Sequence, residues 1–153
     1  MNLKPLKGVS AVIITFNNHL GNAGLLTEGN NSVLILQAPS KKQRSPFPTD
    51  KKKLQVVNSA LREMKKKLDH FEKLIVYAGE GLGPKIIRLV NEHDLPAEKV
   101  LFVASESDWG EKENETLLSV GLSKAQVVKY DGETSDVIYN IHRNILTKGI
   151  FPH

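Results

Sequence analysis

Residues 74–85 read LIVYAGEGLGPK and residues 99–107 read KVLFVASES. Each begins with an uninterrupted apolar run rich in β-branched residues. Such runs suit strands covered on both faces, as in a parallel sheet, better than strands with one wet face. The first run stops at Gly79-Glu80-Gly81, and Pro84 then stands where a helix is expected to open, because proline fits a first helical position. A helix to about His93, a second strand from Val100 to Ala104 and a helix near Glu113–Val120 follow. Ala125–Tyr130 reads as another strand. Thr134 or Ser135 is expected to cap a last helix with the stripe Ile138, Ile141 and Ile145. This alternation predicts a largely parallel sheet with helical cover.

Upstream the pattern changes. Residues 9–16 (VSAVIITF), 22–27 (NAGLLT) and 32–38 (SVLILQA) are short strand-like runs separated by Asn/Gly turns. They predict an antiparallel meander of two or three strands. Residues 39–53 (PSKKQRSPFPTDKKK) contain three prolines and six Lys or Arg, which predicts an exposed, mobile basic loop. A helix from about Lys51 to Asp69 is expected next. Leu54, Val57, Leu61, Met64 and Leu68 form its apolar stripe, and Lys52, Lys53, Arg62, Lys65, Lys66 and Lys67 fall largely outside it. The expected fold is one α/β domain over residues 1–153. It is a Rossmann-like three-layer sandwich with a mixed sheet, antiparallel at the start and parallel later.

Composition narrows the function. The 153 residues include no cysteine, which excludes disulfides, thiolate metal sites and a cysteine nucleophile. The five histidines stand at no metal-ligand spacing, and no Gly-x-Ser-x-Gly elbow is present. No segment has the roughly 18 apolar residues of a membrane helix, and the N-terminus does not read as a signal peptide. A cytoplasmic protein without a membrane partner is expected. The net charge of +4 is unevenly spread. Residues 1–76 carry 13 Lys/Arg against 5 Asp/Glu, whereas residues 77–153 carry 8 against 12. A basic half of this kind suggests a face drawn to a polyanion.

Three groups of residues are candidates for function. The first is Lys41, Lys42, Arg44, Lys51, Lys52 and Lys53, with Gln43 among them. Their charges suit phosphate contacts that are salt-sensitive and independent of base sequence, and Phe47 could stack on a base. The second is the turn at Gly79, Glu80, Gly81 and Gly83. It is placed like a phosphate cradle, but Pro84 occupies the last glycine of the dinucleotide fingerprint and Glu80 would repel phosphate, so a tight structural turn is the expectation. The third is the set of carboxylates after successive strands: Glu80, Glu106, Asp108 and Asp131. Parallel strands would bring these to one sheet edge, where ligands bind in open α/β folds and where carboxylates could hold Mg²⁺. Polar loops alone account for them as well, and neither a metal nor a cofactor is assigned. Trp109, in SESDWGE, is expected to anchor its loop.

Two resemblances follow from these segments. AVIITFNNHLGNAGLLTEGNNSVLIL, SKKQRSPFPTDKKK, the long helix and LIVYAGEGLGPK together resemble the middle domain of archaeal and eukaryotic class I release factors and of Pelota. The resemblance covers about residues 9–121 and implies an RNase H-like fold that contacts RNA or the ribosome. Release factors carry Gly-Gly-Gln in the basic loop, whereas this chain has Lys41-Lys42-Gln43, so the resemblance does not carry peptidyl-tRNA hydrolysis over. Residues 73–147 are also similar to response-regulator receiver domains, with Ser105 and Lys129 where receivers keep a hydroxyl and a lysine. The phospho-acceptor aspartate is missing, because Gly79 and Glu80 stand at that strand end. The expectation is a non-enzymatic RNA- or ribosome-contacting protein. The alternatives are a pseudo-receiver-like module that binds a protein partner and a metal-dependent enzyme built on the edge carboxylates. An antiparallel three-strand opening would favour the first, five parallel strands the second.

Overall fold

The computed structural model describes residues 9–15, 24–28, 31–37, 49–130 and 143. Six strands form one sheet: β1 (Val9–Thr15), β2 (Gly24–Glu28), β3 (Asn31–Gln37), β4 (Phe71–Tyr77), β5 (Val100–Ser105) and β6 (Gln126–Tyr130). Three helices alternate with the later strands: α1 (Asp50–Lys65), α2 (Gly83–Glu92) and α3 (Glu111–Ser119). Single 3-10 turns at Leu68–His70 and Ala97–Lys99 lead into β4 and β5.

The strand order is β2-β3-β1-β4-β5-β6. β1 pairs parallel with both β3 and β4, and β4, β5 and β6 continue the parallel run. Only β2 runs antiparallel, against β3 at the sheet edge. The expected meander is therefore corrected at β1, which does not pair with β2. Ala11, Val12, Ile13 and Ile14 are all buried, so both faces of β1 need cover. The middle of a parallel sheet supplies that cover and a hairpin edge does not. β2 and β3 are separated by only Gly29 and Asn30, the spacing of a two-residue hairpin, and that pair keeps its antiparallel sense. The order β3-β1-β4-β5-β6 is the 2-1-3-4-5 order of doubly wound flavodoxin-type sheets. The antiparallel three-strand opening of an RNase H-like domain is not formed.

Each crossover from β3 through β6 moves in one direction across the sheet. Right-handed connections then place α1, α2 and α3 on the same face, where α1 packs on α2 and α2 on α3. The expected last helix lies outside the described residues except for Arg143, so the described helices form one layer on one face.

The helix stripes explain the docking. Val57, Leu61 and Met64 of α1 are fully buried, with Leu54 and Leu68 partly buried beside them. On α2, Ile86, Ile87 and Val90 are fully buried. β5 is buried along its whole length, and Phe102 at its middle meets the Trp109 ring with 5.8 Å between centroids. α1 ends four residues before the expected boundary, in a turn closed by Lys66 and Lys67 N–H groups on Glu63 and Met64 carbonyls.

Candidate functional site

In this order β1 and β4 form the topological switch point. The chain leaves β1 towards β3 on one side and leaves β4 towards β5 on the other. In open α/β sheets ligands bind at such a point, beyond the carboxyl ends of the strands. Thr15 of β1, the turn after β4, the loop after β5 and the first turn of α1 all lie on this edge of the sheet.

The turn after β4 is tight. Leu82 N–H donates to the Gly79 carbonyl at 3.1 Å. Gly81 has φ +80°, a left-handed value glycine adopts without cost, but Glu80 also sits at φ 58°. A left-handed residue with a Cβ costs roughly 1–2 kcal/mol. Contacts of the Glu80 carboxylate offset part of that cost: it takes Lys53 Nζ at 2.9 Å and the Tyr77 hydroxyl at 3.3 Å. A Cβ at Gly79 would stand 2.5 Å from the Tyr77 hydroxyl, which is itself buried. The glycines thus serve a close turn over Tyr77, and Glu80 is committed to a lysine.

Of the other edge carboxylates, Asp108 is also engaged. Asp108 Oδ2 accepts from the buried Ser105 hydroxyl at 3.0 Å, and Ser107 Oγ lies 3.1 Å from Ser105 Oγ. Glu106 is exposed. Asp131 lies outside the described residues. Among the described residues, no three acidic or histidine side chains come close enough to hold a metal ion. Lys129 is in register with Ala104, so it leaves the sheet on the face opposite Ser105. The receiver-like hydroxyl and lysine do not converge. Trp109 is buried, and its Nε1–H donates to Asn114 Oδ1 at 2.8 Å, which makes it a loop anchor.

The basic candidates divide. Lys41, Lys42, Gln43 and Arg44, with Phe47, lie outside the described residues. Lys51, Lys52 and Lys53 occupy the first turn of α1, after the cap in which Thr49 Oγ1 accepts from Lys52 N–H at 3.2 Å. Lys53 is half-buried and tied to Glu80, with Asp50 4.0 Å away. Lys51 and Lys52 are exposed. Cations in a first turn oppose the helix macrodipole, so these lysines stand where helix stability disfavours them. Asp50, in the same turn, offsets part of the penalty.

Docking of α2 beside α1 adds charges that the sequence reading did not connect. Lys85 and Arg88 are exposed on α2, opposite its buried stripe, and Lys51 and Lys85 line the same groove between the helices. Their spacing of three along α2 was a readable signal, but their nearness to α1 follows only from the strand order. Further along α1, Arg62, Lys65 and Lys66 are also exposed. Lys65 Nζ donates to the Asp94 carbonyl at 2.8 Å, while Glu63 lies 3.8 Å from Lys66.

His93, at the end of α2, feels this charge. Its pKa is lowered first by burial and then by Arg62 and Lys65, with Glu92 opposing. Its Nε2 lies 2.6 Å from Asn58 Oδ1, which as an acceptor requires the Nε2–H form. The unfolded chain binds a proton at the ordinary histidine pKa before the folded chain does. The His93 contribution to stability is thus full above the ordinary histidine range and is lost as pH falls towards the lowered folded value. A histidine titration followed by NMR is expected to give His93 a pKa below that of an unfolded reference. Arg62→Ala is expected to move it upward, and an unchanged value would remove Arg62 as a cause.

Comparison of the chain with protein-family models, curated proteins and solved structures finds no match.

Proposed function

We propose that this chain is a non-enzymatic RNA-contacting α/β module that meets the phosphate backbone, free or within the ribosome, through its α1–α2 face. The observation that carries the reading is the gathering of Lys51, Lys52, Arg62, Lys65, Lys85 and Arg88 as exposed cations on two adjacent helices. Lys41, Lys42 and Arg44 precede α1 in sequence and extend the same run of charge. Phosphate contacts of this kind need density of positive charge and little else. The non-enzymatic part rests on Glu80 and Asp108, whose carboxylates already hold Lys53 and Ser105.

A second reading draws on the strand order. Five parallel strands in the 2-1-3-4-5 arrangement favour a receiver-like regulatory module that binds a protein. Among the residues whose side chains the structure describes, Leu118 is the one exposed large hydrophobic, so that part of the surface offers such a partner little apolar area.

Binding of fluorescent tRNA at low salt separates the two. Wild type is expected to bind, and a Lys51→Ala/Lys52→Ala/Arg62→Ala variant to bind at least ~10-fold more weakly. A Lys41→Ala/Lys42→Ala/Arg44→Ala variant is expected to lose a comparable amount. Absence of tRNA binding by the wild type would overturn the RNA reading and leave the protein-binding one.

A further inference from the structure

α1 and α2 do not close against each other along their full length. Between them lies an open groove of about 380 Å³. This is at the small end of the roughly 300–1,000 Å³ of small-ligand sites. Leu54 and Leu89 give it an apolar lining, Gln55 and Asn58 contribute amides, and Lys51 and Lys85 bring positive charge. Asp50 lies in the same lining, with Lys53 Nζ 4.0 Å from its carboxylate.

That combination is unusual for a pure phosphate surface, which needs no apolar wall. We infer that the groove seats one unpaired nucleotide of a single-stranded RNA, with Leu54 and Leu89 against the base and Lys51 and Lys85 at the flanking phosphates. The inference rests on the RNA reading and adds strand selectivity to it. A base in a duplex has both faces stacked and its pairing edge occupied, so it cannot enter. An unpaired base can, and its pairing edge then meets side-chain amides. Asn58 is suited to this role because His93 fixes its orientation. With Oδ1 accepting from His93 Nε2, the two Nδ2 hydrogens remain as its uncommitted donors. Gln55 is exposed and offers both a donor and an acceptor. A solvent-open groove also leaves the sugar and phosphates outside, within reach of lysines at its rim.

The test compares a 12-nucleotide unstructured RNA with a blunt duplex of equal length, using wild type, Gln55→Ala and Leu89→Trp. Leu89 is only partly buried, so the indole fills the groove without replacing a core side chain. A thermal melt and far-UV spectrum check that both variants fold. Wild type is expected to bind the single strand at least ~10-fold more tightly than the duplex, since only an unpaired base can bury apolar surface against Leu54 and Leu89. Both variants are expected to lose most of that preference while keeping duplex affinity. Equal wild-type affinity for the two RNAs, or a preference untouched by both variants, would overturn the nucleotide seat and leave the phosphate-contacting face standing. Failure to bind either RNA at low salt would overturn both together. If Leu89→Trp does not fold, Gln55→Ala at its exposed position decides the same question alone.

Discussion

Phe102→Ala is expected to lower the folding free energy by about 3–5 kcal/mol, the range for deleting a fully buried aromatic ring. Phe102 is 0 % exposed at the middle of β5, a strand buried from end to end. β5 lies between β4 and β6 and pairs with both, so its neighbours are held on each side and cannot collapse into the vacated space. The ring also supports Trp109, whose plane is tilted 35° to it. Trp109 in turn fixes the loop ahead of α3 through its bond to Asn114. For a chain of this size the loss corresponds to a fall in Tm of roughly 10 °C. Urea unfolding measures it directly, as a lower midpoint with unchanged slope. A loss below ~1 kcal/mol would mean that the β4–β5–β6 core is not packed as described.

Gly83→Ala is the second large effect, at about 1–3 kcal/mol. A Cβ at this position would stand 2.7 Å from Glu113 Cγ and 3.3 Å from the Ala78 carbonyl. Glu113 is buried, and its Oε1 accepts from Gly110 N–H at 2.7 Å, closing the start of α3. The methyl group therefore either strains the turn after β4 or displaces Glu113 and leaves the Gly110 donor unpaired. A double-mutant cycle separates this from a general intolerance of α2. Glu113→Ala removes the Cγ, and in that background Gly83→Ala is expected to cost clearly less. Equal costs in the two backgrounds would place the strain elsewhere.

These predictions depend on features of different legibility. The runs at Leu74–Ala78 and Val100–Ala104 marked two central strands, and both lie in the core. The spacing of Leu54, Val57, Leu61, Met64 and Leu68 marked the buried stripe of α1, because helical periodicity is a local property. The partner of β1 was not legible in that way. Pairing is decided by which neighbours cover both faces, and here β1 skips β2 to pair with β3 and with β4, which starts only at Phe71. The apolar run Ala11 through Ile14 was the available signal, since four consecutive apolar residues argue against a hairpin with one wet face, and all four are buried.

The site shows the same division. Lys51 and Lys52 were visible as a charge run, and their exposure follows from the helix phase. The link from Lys53 to Glu80 spans 27 positions and depends on how α1 lands beside the β4 turn. The pairing of Ser105 with Asp108 was hidden for a different reason. An acidic loop residue reads as solvated or metal-binding until a buried hydroxyl is found beside it. Lys85 gained its place only when α2 settled against α1.

The measurement closest to the central claim is the salt dependence of binding to the unstructured 12-nucleotide RNA. Wild type and the Lys51→Ala/Lys52→Ala/Arg62→Ala variant would be compared from low to physiological ionic strength. Each phosphate neutralised on a single strand contributes about −0.7 to the slope of log K against log salt. If the three side chains each meet a phosphate, the variant's slope is shallower than wild type by about 2. A wild-type slope near zero, or one that the three substitutions leave unchanged, would contradict an RNA-contacting role for the α1–α2 face.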